Sequence, residues 1–95
     1  SYRIEEFEHA VRMDARGNVL TGNGAVEEHA ALAAYGCRLG DLMGELLGLG
    51  PMIAVEGALR PAGRCLIFRD AAGDTVLLRP RAGVDLSRLR AQLAL

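Results

Sequence analysis

Residues 25–51 read AVEEHAALAAYGCRLGDLMGELLGLGP, and this stretch decides the fold. Leu32, Tyr35, Leu39, Leu42, Met43 and Leu46 recur at three- and four-residue intervals, the spacing of one helix face. Glu27 and Glu28 fall in the first turn, where carboxylates suit the positive end of the helix dipole. Gly48-Leu49-Gly50-Pro51 closes the run, because Gly caps a helix C-terminus and Pro cannot continue one. The result is a helix of about 22 residues, or ~33 Å at the standard rise. Within it Gly36, Gly40, Gly44 and Gly48 repeat every fourth residue. Each internal Gly costs about 1 kcal/mol relative to Ala. Such a row forms a shallow groove that lets another backbone approach closely. The approaching partner is either the same helix of a second copy or the chain's own sheet.

On both sides of this helix the pattern is that of strands. His9 to Met13 alternates, with Val11 and Met13 on one face and Arg12 on the other. Asp14-Ala15-Arg16-Gly17-Asn18 is turn chemistry, and Val19-Leu20-Thr21 returns, making a hairpin. Gly22-Asn23-Gly24 breaks the strand, with Asn23 as the expected helix cap. After the helix, Met52 to Arg60 alternates, with Ile53, Val55 and Leu59 on one side. Arg60-Pro61-Ala62-Gly63 turns into Cys65 to Arg69, and Asp70-Ala71-Ala72-Gly73-Asp74 turns into Thr75 to Arg79. Pro80 ends that run, since proline cannot donate to a ladder. Asp85 then caps a last helix with Leu86, Leu89 and Leu93 on one stripe. The economical architecture is α+β: a five-stranded antiparallel sheet in the order strand, strand, helix, strand, strand, strand, helix, with the helices packed against it.

Composition bounds the rest. The 95 residues suffice for one domain, spanning 1–95, and are too few for two. Half of the chain (51%) is hydrophobic and the net charge is −1, which argues against disorder. No stretch approaches ~20 uninterrupted apolar residues, so no membrane span is expected. Near-neutrality argues against nucleic acid, where affinity comes from neutralised phosphates. No secretory leader is visible, since Tyr2 to Glu8 is acidic, and the default expectation is a cytoplasmic protein. Aromatics make up only 4% of residues, so Ala, Leu and Val must build the core. Every basic residue is Arg, which fits a GC-rich genome. Charge is unevenly placed: residues 1–59 carry four Arg against nine acids, residues 60–95 seven Arg against three.

Several local features resemble the roadblock / dynein light chain family over residues 8–95. Val11-Arg12-Met13-Asp14-Ala15-Arg16-Gly17-Asn18-Val19-Leu20 is similar to its opening strand, D-x-x-G turn and return strand, and the long helix follows at once. Ala82-Gly83-Val84-Asp85-Leu86-Ser87-Arg88-Leu89-Arg90 resembles its entry to the last helix. One feature departs: the family opens with a full amphipathic helix, whereas Tyr2 to Phe7 provides at most a turn or two, as in a short bacterial variant. The resemblance implies a non-catalytic homodimer that scaffolds or regulates, with small Ras-like GTPases as partners. It implies paired edge strands and long helices side by side. The contact set would be Gly36, Gly40 and Gly44 on the helix with Ile53, Val55, Glu56 and Gly57 on the third strand.

No constellation for catalysis emerges from the residues themselves. Gly22-x-Gly24-x-x-Glu27 lacks the third small residue of a dinucleotide loop, and its acids would repel a pyrophosphate. His9, His29, Cys37 and Cys65 have no metal-site spacing, so neither metal nor cofactor is expected; His29, beside two glutamates, reads as a solvated helix residue. Arg60, Arg64, Arg69, Arg79 and Arg81 cluster in the meander as a candidate patch for an acidic partner, or as ordinary surface arginines. Two other readings stay open: a small-molecule-sensing α/β domain, and an accessory subunit of an enzyme complex.

Overall fold

Two aspartate turns fold the sheet. Asp14 Oδ1 accepts from the N–H groups of Arg16 and Asn18, both at 2.9 Å, and Gly17 takes φ +87°. Asp70 Oδ1 does the same with Ala72 and Asp74 at 3.0 Å, with Gly73 at φ +86°. Positive φ is open to Gly at no steric cost, so both turns are written into their own five residues. The computed structural model describes residues 3–4, 7–59 and 63–95. Its elements are β1 (His9–Met13), β2 (Val19–Asn23), α1 (Val26–Leu46), β3 (Ala54–Leu59), β4 (Gly63–Arg69), β5 (Thr75–Arg79) and α2 (Leu86–Gln92). The sheet is antiparallel, in the order β2-β1-β5-β4-β3, so β2 and β3 are its edges.

The α+β architecture and the element order agree with the sequence reading. Several boundaries differ, among them β4, which begins at Gly63 rather than Cys65. β2 runs on through Gly22 to Asn23, which pairs with Ala10. Asn23 therefore caps nothing: its Nδ2 donates to the Phe7 carbonyl at 2.6 Å. The helix starts from Ala25, whose N–H donates to His9 Nδ1 at 3.1 Å. β3 is shorter than Met52 to Arg60, and Ile53 lies just ahead of it. The turn at Arg60-Pro61-Ala62 lies outside the described residues, as do Tyr2, Glu5 and Glu6 of the short opening segment. Asp85 does cap α2, accepting from the Ser87 N–H at 3.0 Å.

The pleat sorts the core into two layers. Val11, Met13, Cys65, Ile67 and Leu77 face α1. Ala10, Leu66, Phe68, Val76 and Leu78 face the other way, beneath Ile4, Phe7, Leu86 and Leu89. Leu66, Leu77, Leu78, Val11 and Val76 are the largest fully buried side chains, each contributing about 1.5–3 kcal/mol of transfer free energy.

Candidate functional site

Helix α1 presents its small residues to the sheet. His29, Ala33, Gly36, Cys37 and Gly44 are its buried positions. A Cβ on Gly36 would fall 2.6 Å from Ile67 Cδ1 of β4, and one on Gly40 2.6 Å from Met52 Sδ. A Cβ on Gly44 would overlap the carbonyl oxygen of Gly50. The row proposed for a second helix is thus filled by β4, by Met52 and Val55, and by the loop that leads back to β3. Packing within the chain, against β4, Met52, Val55 and the Gly50 loop, accounts for the small residues at Gly36, Gly40 and Gly44, although Gly40 is only half-buried and lines with Gly44 the groove at the helix end.

Beyond Val26 and Leu32, which pack on the core, the large apolar residues of the same helix point outward. Tyr35, Leu39, Leu42, Met43 and Leu46 are all exposed, Leu46 to 74%. Leu47 and Leu49 continue the surface past the helix end, and Ile53 is 66% exposed where the chain enters β3. An open apolar groove of about 340 Å³, lined in part by Met43, Leu47, Met52 and Val55, joins the helix end to the sheet edge. Of the stripe read from the sequence, Leu32 is half-buried against the α1 layer of the core, and the rest, from Tyr35 to Leu46, faces solvent.

Beside it lies the β3 edge. Its six residues pair with β4 on one side only. Val55 is half-buried against the α1 layer, and Gly57 leaves just 3.0 Å between a would-be Cβ and Cys65 Sγ. Glu56 faces the other way and accepts from Arg90 Nη1 of α2 at 3.1 Å. That ion pair occupies the one acid that could guard this edge against strand addition.

The arginines separate into two groups. Arg69 makes a bidentate bridge to Asp41 of α1, at 2.9 and 2.6 Å, which holds the Asp41 carboxyl below its ordinary pKa and raises that of Arg69. Arg64, Arg79 and Arg81 line a different groove, at the opposite end of β4 and β5. Arg60 lies outside the described residues. Arg12 pairs with Asp70 and, at 3.6 Å, Asp74.

His29 is not the solvated helix residue its neighbours imply. His29 is buried, stacked on His9 with ring centroids 4.8 Å apart, and 3.3 Å from Arg79 Nη1. Adjacent glutamates suggested a solvated side chain, but the facing strand β1 supplies the stacking partner. No spacing along the chain signals that meeting. Burial pushes the Cys65 thiol up from its ordinary pKa, which disfavours the reactive thiolate form. Among the described residues no three His, Cys, Asp or Glu side chains are placed to hold a metal ion. Among them, too, no helix is long and apolar enough to cross a membrane.

No family model and no curated protein matches this sequence. Among solved structures, the fold is similar to the crystal structure of a Roadblock/LC7 domain from Streptomyces avermitilis. The TM-score is 0.78 and the identity 19%, over 99% of this chain and 90% of that one.

Proposed function

With the Roadblock/LC7 fold as premise, we propose that this chain is a non-catalytic protein-interaction module whose working form is a homodimer. The observation that carries the reading is the exposed apolar stripe of α1, from Tyr35 to Leu46, lying beside an open sheet edge. Monomeric proteins rarely expose contiguous apolar patches beyond a few hundred Å² unless something docks there. Two copies related by a two-fold axis would cover both stripes at once, because an isologous interface is self-complementary. The β3 edges then pair backbone to backbone, with Ile53 and Val55 at the join and Glu56 held aside by Arg90. The glycines act one step removed: they seat α1 low on its own sheet.

Such a module works by presenting a doubled surface, in keeping with a cytoplasmic scaffold or regulator. The partner class to test first is a small Ras-like GTPase, on the strength of the resemblance seen in the sequence. Light scattering on the purified protein should give twice the 10.1 kDa chain mass at micromolar concentration. A mass of one chain across that range overturns the homodimer. Titration with a small GTPase in its two nucleotide states tests the finer reading; equal absence of binding removes it and leaves the module.

A further inference from the structure

A second surface stands apart from the α1 stripe. It is an open groove of about 420 Å³ where the start of β4, the end of β5 and the loop into α2 meet. Ala58, Pro80 and Ala82 give it an apolar floor, while Arg64, Arg79 and Arg81 supply charge. No acidic residue is among its described lining. Of the three acids in residues 60–95, Asp85 caps α2 just beyond the groove, and Asp70 and Asp74 pair with Arg12 at the far end of these strands. The three arginines therefore outnumber the acids at this end of the sheet.

We propose that this groove docks an acidic peptide segment of a partner protein. The proposal goes beyond the homodimer reading and does not depend on it. The disposition of the guanidinium groups favours spaced carboxylates over a single phosphate. Arg64 Nη2 donates to the Val84 carbonyl at 2.5 Å, on the α2 side of the sheet. Arg79 Nη1 is turned to His29, on the α1 side. The Arg81 carbonyl accepts from the Val84 N–H at 3.2 Å, and its guanidinium has no hydrogen bond or ion pair among the described residues. A phosphate cradle needs forks that converge on one centre, whereas these diverge and spread charge along the groove. Each fork keeps free donors, since guanidinium carries five. Acidic segments are recognised by arginine clusters of this kind.

The test titrates the ¹⁵N-labelled protein with a hexaglutamate peptide, and separately with inorganic phosphate, following backbone amides by NMR. Hexaglutamate should give saturable shifts confined to Ala58, Gly63 and residues 81–83, weakening as salt rises. Arg81→Glu should weaken binding about tenfold or more, and Arg16→Glu, the same charge change at a remote exposed turn, less than about twofold. Equal weakening by both variants would overturn the proposal, since it would mean diffuse attraction. So would unsaturable shifts, or phosphate moving these amides while hexaglutamate does not. Chain mass is read independently, so failure here is distinguishable from failure of the dimer.

Discussion

Gly44 and Gly40 are successive members of one row and yet should respond unequally to the same substitution. Ala in place of Gly gains about 1 kcal/mol of helix propensity at either site. At Gly40 the new methyl meets Met52 Sδ and Cγ and, at 3.1 Å, Val55 Cγ2, and the flexible thioether can give way where a backbone cannot. Gly40→Ala should therefore stay within about 1 kcal/mol of the parent in urea unfolding. At Gly44 the methyl meets the Gly50 carbonyl, which is backbone. Gly44→Ala should destabilise by about 2 kcal/mol or more. The i, i+4 spacing was plain in the sequence. Its target was not, because Gly50 and Ile67 are brought there by the fold alone. Asp41 belongs to this scale as well. The Arg69 bridge lowers its folded-state pKa, so the bridge stabilises the fold above about pH 4, the unfolded-chain value, and that contribution is lost as pH falls through the lowered one. Both side chains are partly exposed, so solvent screens the effect. The stability gap between the parent and Asp41→Asn should be constant near neutrality and should close below about pH 4, as read from melts across pH.

Elements were legible where their chemistry is local. Asp14 with Gly17, Asp70 with Gly73, and Asp85 before Leu86 each carry their hydrogen bonds within a few residues, and all three sit as the sequence implies. Asp85→Ala should cost about 1 kcal/mol, because it strips the cap from a helix of only seven residues. Amide exchange should accelerate selectively across α2, while the β5 amides stay protected. Illegible elements were those whose ends depend on a distant partner. Asn23 looks like a cap by composition, but β1 claims it as a strand residue and the Phe7 carbonyl claims its side chain. The face of α1 was the largest such case. Periodicity identifies an apolar stripe but not its direction. Here Ala33, Gly36 and Cys37 win the sheet, because small residues let the helix sit low.

At the scale of the whole molecule, these reversals share one consequence. A helix with its small face inward must carry its leucines outside, and one protomer leaves them uncovered. That also bears on the aromatic-poor composition, since further apolar burial is available only from a second body. The sequence resemblance to roadblock proteins agrees with the fold, while Gly36, Gly40 and Gly44 pack within the chain and the proposed contact rests on the stripe beside them. The arginine groove lies away from that stripe, so the two surfaces should be separable by mutation. The outward face of α1 is the decisive surface, and it is probed by sedimentation equilibrium of the double variant Leu39→Glu, Leu42→Glu against the parent. We predict a parent of two chains and a variant of one, still folded by circular dichroism, because both positions are exposed in the protomer. A variant that keeps the parent mass, or that unfolds as a core substitution would, contradicts the account.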